Sequence, residues 1–108
     1  MSWQERIMAA HQAVTDHVSH AQRMQSDRYF VWQEDGQNDF LADGQHVQRA
    51  VTGTTDLFTK MEFDPWKAQF ERALDDTIGI AWRLNLVDFE ADTGFYHYEW
   101  VWQVMDSG

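Results

Sequence analysis

The chain has 108 residues, enough for one domain with a modest core, and its 44% hydrophobic content with a single proline excludes a disordered segment. It carries no cysteine, which removes disulfides, thiolate chemistry and cysteine-held zinc. Eight basic residues stand against eighteen acidic ones, a net charge of −10 that disfavours gripping a phosphate backbone. No apolar run approaches membrane-spanning length and no charged-then-apolar leader opens the chain, so a soluble, unexported protein is expected.

Ser2 with Glu5 three residues later is a capping-box pattern. Trp3, Ile7, Ala10, Val14, Val18 and Ala21 recur at helical spacing and predict a first helix over residues 3–20 with one apolar stripe. Tyr29-Phe30-Val31-Trp32 predicts a short strand that stops at the Asp35-Gly36 turn signal. A second Asp-Gly follows at 43–44, and the intervening QNDFLA reads as an irregular loop or a short hairpin. Residues 46–61 predict one long strand of weak alternation, with Gly53 as a candidate bulge.

Asp64-Pro65 starts a second helix, a carboxylate at the cap and proline in the first turn. Its stripe is Trp66, Phe70, Ala73 and Leu74, and Asp75-Asp76 mark its end because negative charge is disfavoured there. Residues 78–89 form a strand with Ile80, Trp82, Leu84 and Leu86 on one face and Ala81, Arg83, Asn85 and Val87 on the other. Residues 90–94 turn the chain, and 95–105 return as its hairpin partner. The order helix, strands, helix, hairpin predicts an α+β domain spanning residues 1–108, a mostly antiparallel sheet with two helices on one face and a C-terminal β-hairpin.

The last strand is unusually rich in rings. Tyr96, Tyr98, Trp100, Trp102 and Val104 fall on one face; Phe95, His97, Glu99, Val101 and Gln103 fall on the other. The ring-rich face is expected to be core, with Trp3, Trp66 and Phe70 as partners. A ligand pocket and a protein interface are the other uses of such a face.

Chemistry-bearing groups are sparse. His17 and His20 share a predicted helix face, with His11 earlier, but no third or fourth ligand is identifiable, so no metal site is assigned. His97 and Glu99 share a strand face without a nucleophile to activate and read as surface polar residues. Asp35, Asp39 and Asp43 are spaced four apart, unlike a calcium loop. There is no GxGxxG, P-loop or HExxH, so no catalytic residue and no cofactor are assigned.

Four segments in order carry a family resemblance: WQERIMAAHQAVTDHV, DRYFVWQEDG, VTGTTDLFTKMEFDPW and LVDFEADTGFYHYEWVWQVM. Together they resemble the tail terminator (tail completion) proteins of long-tailed phages and prophages, most of all the small forms from phages of Gram-positive bacteria. The resemblance implies a mixed α/β fold and a non-enzymatic virion protein of the neck, assembled in the host cytoplasm. It implies a ring, usually hexameric, at the head-proximal end of the tail, which stops tail-tube growth and offers the surface that joins the head. The implied partners are further copies of the chain, the tail-tube protein and a head–tail connector; DNA passes through without specific binding, and no membrane is involved. A ring needs two complementary patches, and the candidate contacts are Asp35, Asp39, Phe40, Asp43, Arg49 and Thr54, in the 35–45 loop and the long strand. Three other readings stand beside this one: another connector or minor capsid protein, a monomeric acidic module that binds a basic partner, and a small enzyme with a ring-lined pocket.

Overall fold

The computed structural model describes the backbone of residues 1–42 and 46–106, and side chains for 1–36 and 49–106. Two helices and five strands follow in the order α1 (Trp3–Gln12), β1 (Val18–His20), β2 (Arg28–Ala42), β3 (His46–Thr59), α2 (Trp66–Asp75), β4 (Ile80–Glu90) and β5 (Phe95–Asp106). The strands form one sheet in the order β1-β2-β3-β5-β4. Among the described residues only β1–β2 is parallel; β2–β3, β3–β5 and β4–β5 are antiparallel. This is the expected α+β class, ending in the expected β-hairpin.

The first helix begins as predicted. The Ser2 hydroxyl accepts from the Glu5 amide at 3.1 Å, and Glu5 Oε1 accepts from the Ser2 amide at 3.2 Å. It ends at Gln12, eight residues before the predicted 20. The β-branched Val14 and Thr15 are poor helix extenders, and the Thr15 hydroxyl turns the chain by accepting from the His17 amide at 3.1 Å. Val18-Ser19-His20 then pair with Phe30-Val31-Trp32 as an edge strand. Val14 and Val18 still pack on the core. Of the expected stripe, Ile7 and Ala10 are buried, Trp3, Val14 and Val18 are half-buried and Ala21 is exposed, and the stripe does not lie on one continuous helix.

The second helix starts where the sequence predicts, but Pro65 is the cap residue and Asp64 stands one position before it. Asp64 Oδ1 accepts from the Trp66 amide at 2.9 Å, and the same carboxylate takes Arg28 in a fork at 2.8 and 2.5 Å. The Arg28 guanidinium also lies 3.7 Å over the Trp66 ring. One aspartate therefore starts α2 and ties it to β2.

Both helices cover one face of the sheet. Against them lie Phe30, Trp32, Leu57, Tyr98, Trp100, Trp102 and Val104, all buried. Phe70 of α2 sits 5.0 Å from both Phe30 and Trp100, and Trp3 of α1 meets Trp32 edge-on at 6.4 Å. The ring-rich face of β5 is core, as the period-two reading predicts.

Gly53 is fixed by this packing. A Cβ there would lie 2.2 Å from the Trp102 ring and 2.7 Å from the Gln33 carbonyl oxygen, so only glycine lets the indole cross the strand. The bulge expected at Gly53 lies instead on the opposing strand, where the register shifts between Glu34 and Gly36. A second shift, between Leu84 and Leu86, reverses the facing of the rest of β4. Leu86 thus pairs with Glu99 on the open face, while Val87 and Phe89 pair with Tyr98 and Tyr96 on the helix side. That overturns the expected alternation beyond Leu84 and leaves Val87 58% and Phe89 51% exposed.

Candidate assembly surface

The strand predicted to stop at Asp35-Gly36 does not stop. The bulge absorbs Asp35, and β2 continues to Ala42. The segment expected as a loop over 35–45 is therefore strand as far as 42. Pairing of β2 with β3 runs on past Arg49↔Asp106, the last described β3–β5 pair, to Ala42↔His46. Residues 40–42 and 46–48 are thus paired only with each other among the described residues, and the strand pair projects as a two-stranded arm. A two-stranded extension is at best marginally stable by itself.

The candidate contact residues are distributed along this strand pair. Asp35 sits at its root, accepting from the Thr52 hydroxyl at 3.1 Å and the Thr54 hydroxyl at 2.9 Å. Asp35 and Thr54 are thereby brought together. Asp39 and Arg49 are register partners, and Phe40 pairs with Gln48 further out. Asp43 lies outside the described residues. The 43–44 turn signal lies there too.

The sheet has a second distinct margin. β4 is the last strand in the order, and its outer edge has no strand partner among the described residues. Exposed Val87 and Phe89 line its far half, with Phe89 4.8 Å from Tyr96. An unpaired edge with exposed apolar side chains is a template for another chain. The sequence alone did not reveal this margin, because strand order and the Leu84–Leu86 bulge decide it.

The face opposite the helices is polar over β5 and its neighbours. The register places Asp56, Asp88, Glu90 and Glu99 on it, with Asp35 at the rim. Part of it is covered: Tyr29 and Phe58 are buried behind β2–β3, with Arg23 4.1 Å over the Phe58 ring. A shallow, open groove lined by Thr52, Gly53, Trp82, Arg83 and Trp102 runs beside Asp35.

The histidines do not form the cluster considered from the sequence. His11 is buried in the core. Its Nδ1 donates to the Ile7 carbonyl at 2.7 Å, and its Nε2 accepts from the Thr55 hydroxyl at 3.0 Å. His17 follows the helix instead of lying on it, and His20 is on β1, stacked 4.2 Å over Trp32 and 2.7 Å from Glu34. His97 is not a plain surface residue, because its Nε2 lies 2.6 Å from Asp56. His97 and Glu99 do share the open face, as expected.

No family model and no curated protein matches this sequence. Among solved structures, the chain is similar to one from the virion of a native gene transfer agent (GTA) particle, at a TM-score of 0.57 and 11% identity. The alignment covers 99% of this chain and 92% of that one. At this identity the likeness is one of fold, and it extends over nearly the whole of both chains.

Proposed function

We propose that this chain is a structural component of a phage-like particle, a tail terminator that forms a ring at the head-proximal end of the tail. The observation that carries the reading is the end-to-end likeness of fold to a chain of a GTA virion. The two margins of the sheet support it. The β2–β3 arm and the unpaired β4 edge lie at different places on the chain. One can therefore serve as donor and the other as acceptor, which is what a closed ring of identical copies requires.

In this reading Asp35 and Thr54 hold the root of the arm, and Asp39, Phe40, Asp43 and Arg49 belong to its contact surface. Val87 and Phe89 belong to the receiving edge. The partners are other copies of the chain, the tail-tube protein on one side and a connector on the other. The chain has no catalytic task, and its net charge of −10 lets DNA pass without holding it. The ring is a hexamer, and the whole chain is one terminator domain.

Gold-labelled antibody against the chain, applied to purified particles from the producing host, tests the placement. Label at the junction of head and tail is the expected result. Label along the tail, or particles that lack the chain, would remove the reading.

A further inference from the structure

We propose that the open face of the sheet holds a divalent transition-metal site built from Asp56, His97 and Glu99. One ligand atom from each lies within 4.8 Å of the other two. Asp56 and Glu99 are directly opposed across β3 and β5, and His97 stands two residues before Glu99 on the same face. Two carboxylates set face to face repel one another. A cation between them removes that repulsion and gains three ligands at once.

The ligands are held in place by other side chains. The imidazole of His97 stacks on Phe58, with centroids 4.4 Å apart and planes 15° from parallel. Its Nε2 points to Asp56 Oδ1 at 2.6 Å, while Nδ1 faces Glu90 Oε2 at 3.9 Å. Glu90 is thus near the second nitrogen but beyond hydrogen-bond distance, so the ring is held by the Phe58 stack and by Asp56. Asn85 donates to Glu99 Oε1 at 2.8 Å, leaving the other oxygen for an ion. All three ligand residues are half-buried, so the site is shielded yet reachable.

The donor set selects the ion. One imidazole with two carboxylates suits zinc, cobalt or nickel, whereas calcium and magnesium prefer oxygen alone. With bonds of about 2.0–2.2 Å, tetrahedral ligand atoms stand about 3.4 Å apart, so His97 and Asp56, at 2.6 Å, must separate by about 0.8 Å, while ligand atoms now as much as 4.8 Å apart must draw in. Solvent completes the coordination. The site does not depend on the ring reading, and a bound ion would lock β3 to β5 next to the root of the arm.

Calorimetric titration of the full-length chain with zinc chloride, after chelator treatment, tests this. One saturable equivalent is expected. His97→Gln and Glu99→Gln should each weaken binding at least tenfold, and Asn85→Ala, which removes only the outer hydrogen bond, should do so by about 10–100-fold. His20→Gln, at the exposed His20–Glu34 pair, should leave the affinity unchanged. Circular dichroism confirms that each variant is folded, and Glu99→Gln remains informative if His97→Gln is not. Absence of a saturable equivalent would overturn the site, as would full affinity in both His97→Gln and Glu99→Gln or its loss in His20→Gln.

Discussion

Trp100→Ala is expected to destabilise the protein by about 3–5 kcal/mol in denaturant unfolding at neutral pH. Trp100 is fully buried at the centre of β5. Its ring meets Phe70 edge-on at 5.0 Å and lies within 6.4 Å of Phe30 and 6.2 Å of Tyr98. Its Nε1–H donates to Glu71 Oε2 at 3.1 Å, which ties the sheet to α2. Alanine would leave a cavity between layers whose walls are rings held by other rings, so collapse into it is restricted. For a domain of this size the total stability is about 5–15 kcal/mol, so this one change removes a large share of it. Trp100→Phe keeps much of the volume and chiefly loses the Glu71 bond, about 1 kcal/mol. A loss below about 1.5 kcal/mol for the alanine variant would mean that β5 does not face the helices as described.

The second large effect is a loss of stability in mild acid, traced to His11. Burial pushes its pKa down from 6.5 to about 4, opposed only by its bond to the Ile7 carbonyl. The ring is neutral, and it closes a chain of bonds. The Trp102 indole donates to the Thr55 hydroxyl at 2.9 Å, that hydroxyl donates to His11 Nε2, and His11 Nδ1 donates to Ile7. A proton on Nε2 would break the middle link. Between pH 6.5 and 4 the unfolded chain binds this proton and the native chain does not. Stability therefore falls as pH falls through that window, by about 3 kcal/mol in all.

Asp64 acts lower on the scale. Burial alone would raise its pKa, but the Arg28 fork, the Trp66 amide and Thr59 outweigh this and hold it below 3.8. Its contribution is present above that value and is lost as pH falls through the lower, folded-state pKa. Unfolding free energies at half-unit steps from pH 7.5 to 3 separate the two. His11→Gln should be less stable at pH 7 yet nearly flat from pH 6.5 to about 5, above the range where Glu5 and Glu34, both held below 4.5, begin to contribute. An unchanged slope in that variant would contradict the assignment.

Local rules carried much of the fold. Ser2 with Glu5 and Asp64 with Pro65 announced both helix starts, and period two named the buried face of β5. What escaped was set by distant partners. Val14 and Val18 are spaced for a helix, yet Val18-Ser19-His20 are recruited by β2, a choice that local spacing does not encode. Asp35-Gly36 reads as a turn, but Thr52 and Thr54 convert it to a bulge by holding the Asp35 carboxylate. Leu86 and Val87 exchanged faces for the same kind of reason, one extra residue in β4. The assembly surface was legible only as a region: the 35–45 loop and the long strand were named for contacts, whereas the β4 edge required the strand order. Asp56 was missed as the neighbour of His97, because it lies 41 residues away and meets it only through the β3–β5 register.

Closure of the end of a tail tube by this chain, the role proposed above, is open to direct observation. The most direct test is negative-stain electron microscopy of the full-length protein mixed with tubes growing from the tail-tube protein of the same particle. Tubes that stop growing, each with a ring-shaped density at one end, are the expected result. Tubes that continue to lengthen with bare ends would contradict it, and would point to another component of the head–tail junction.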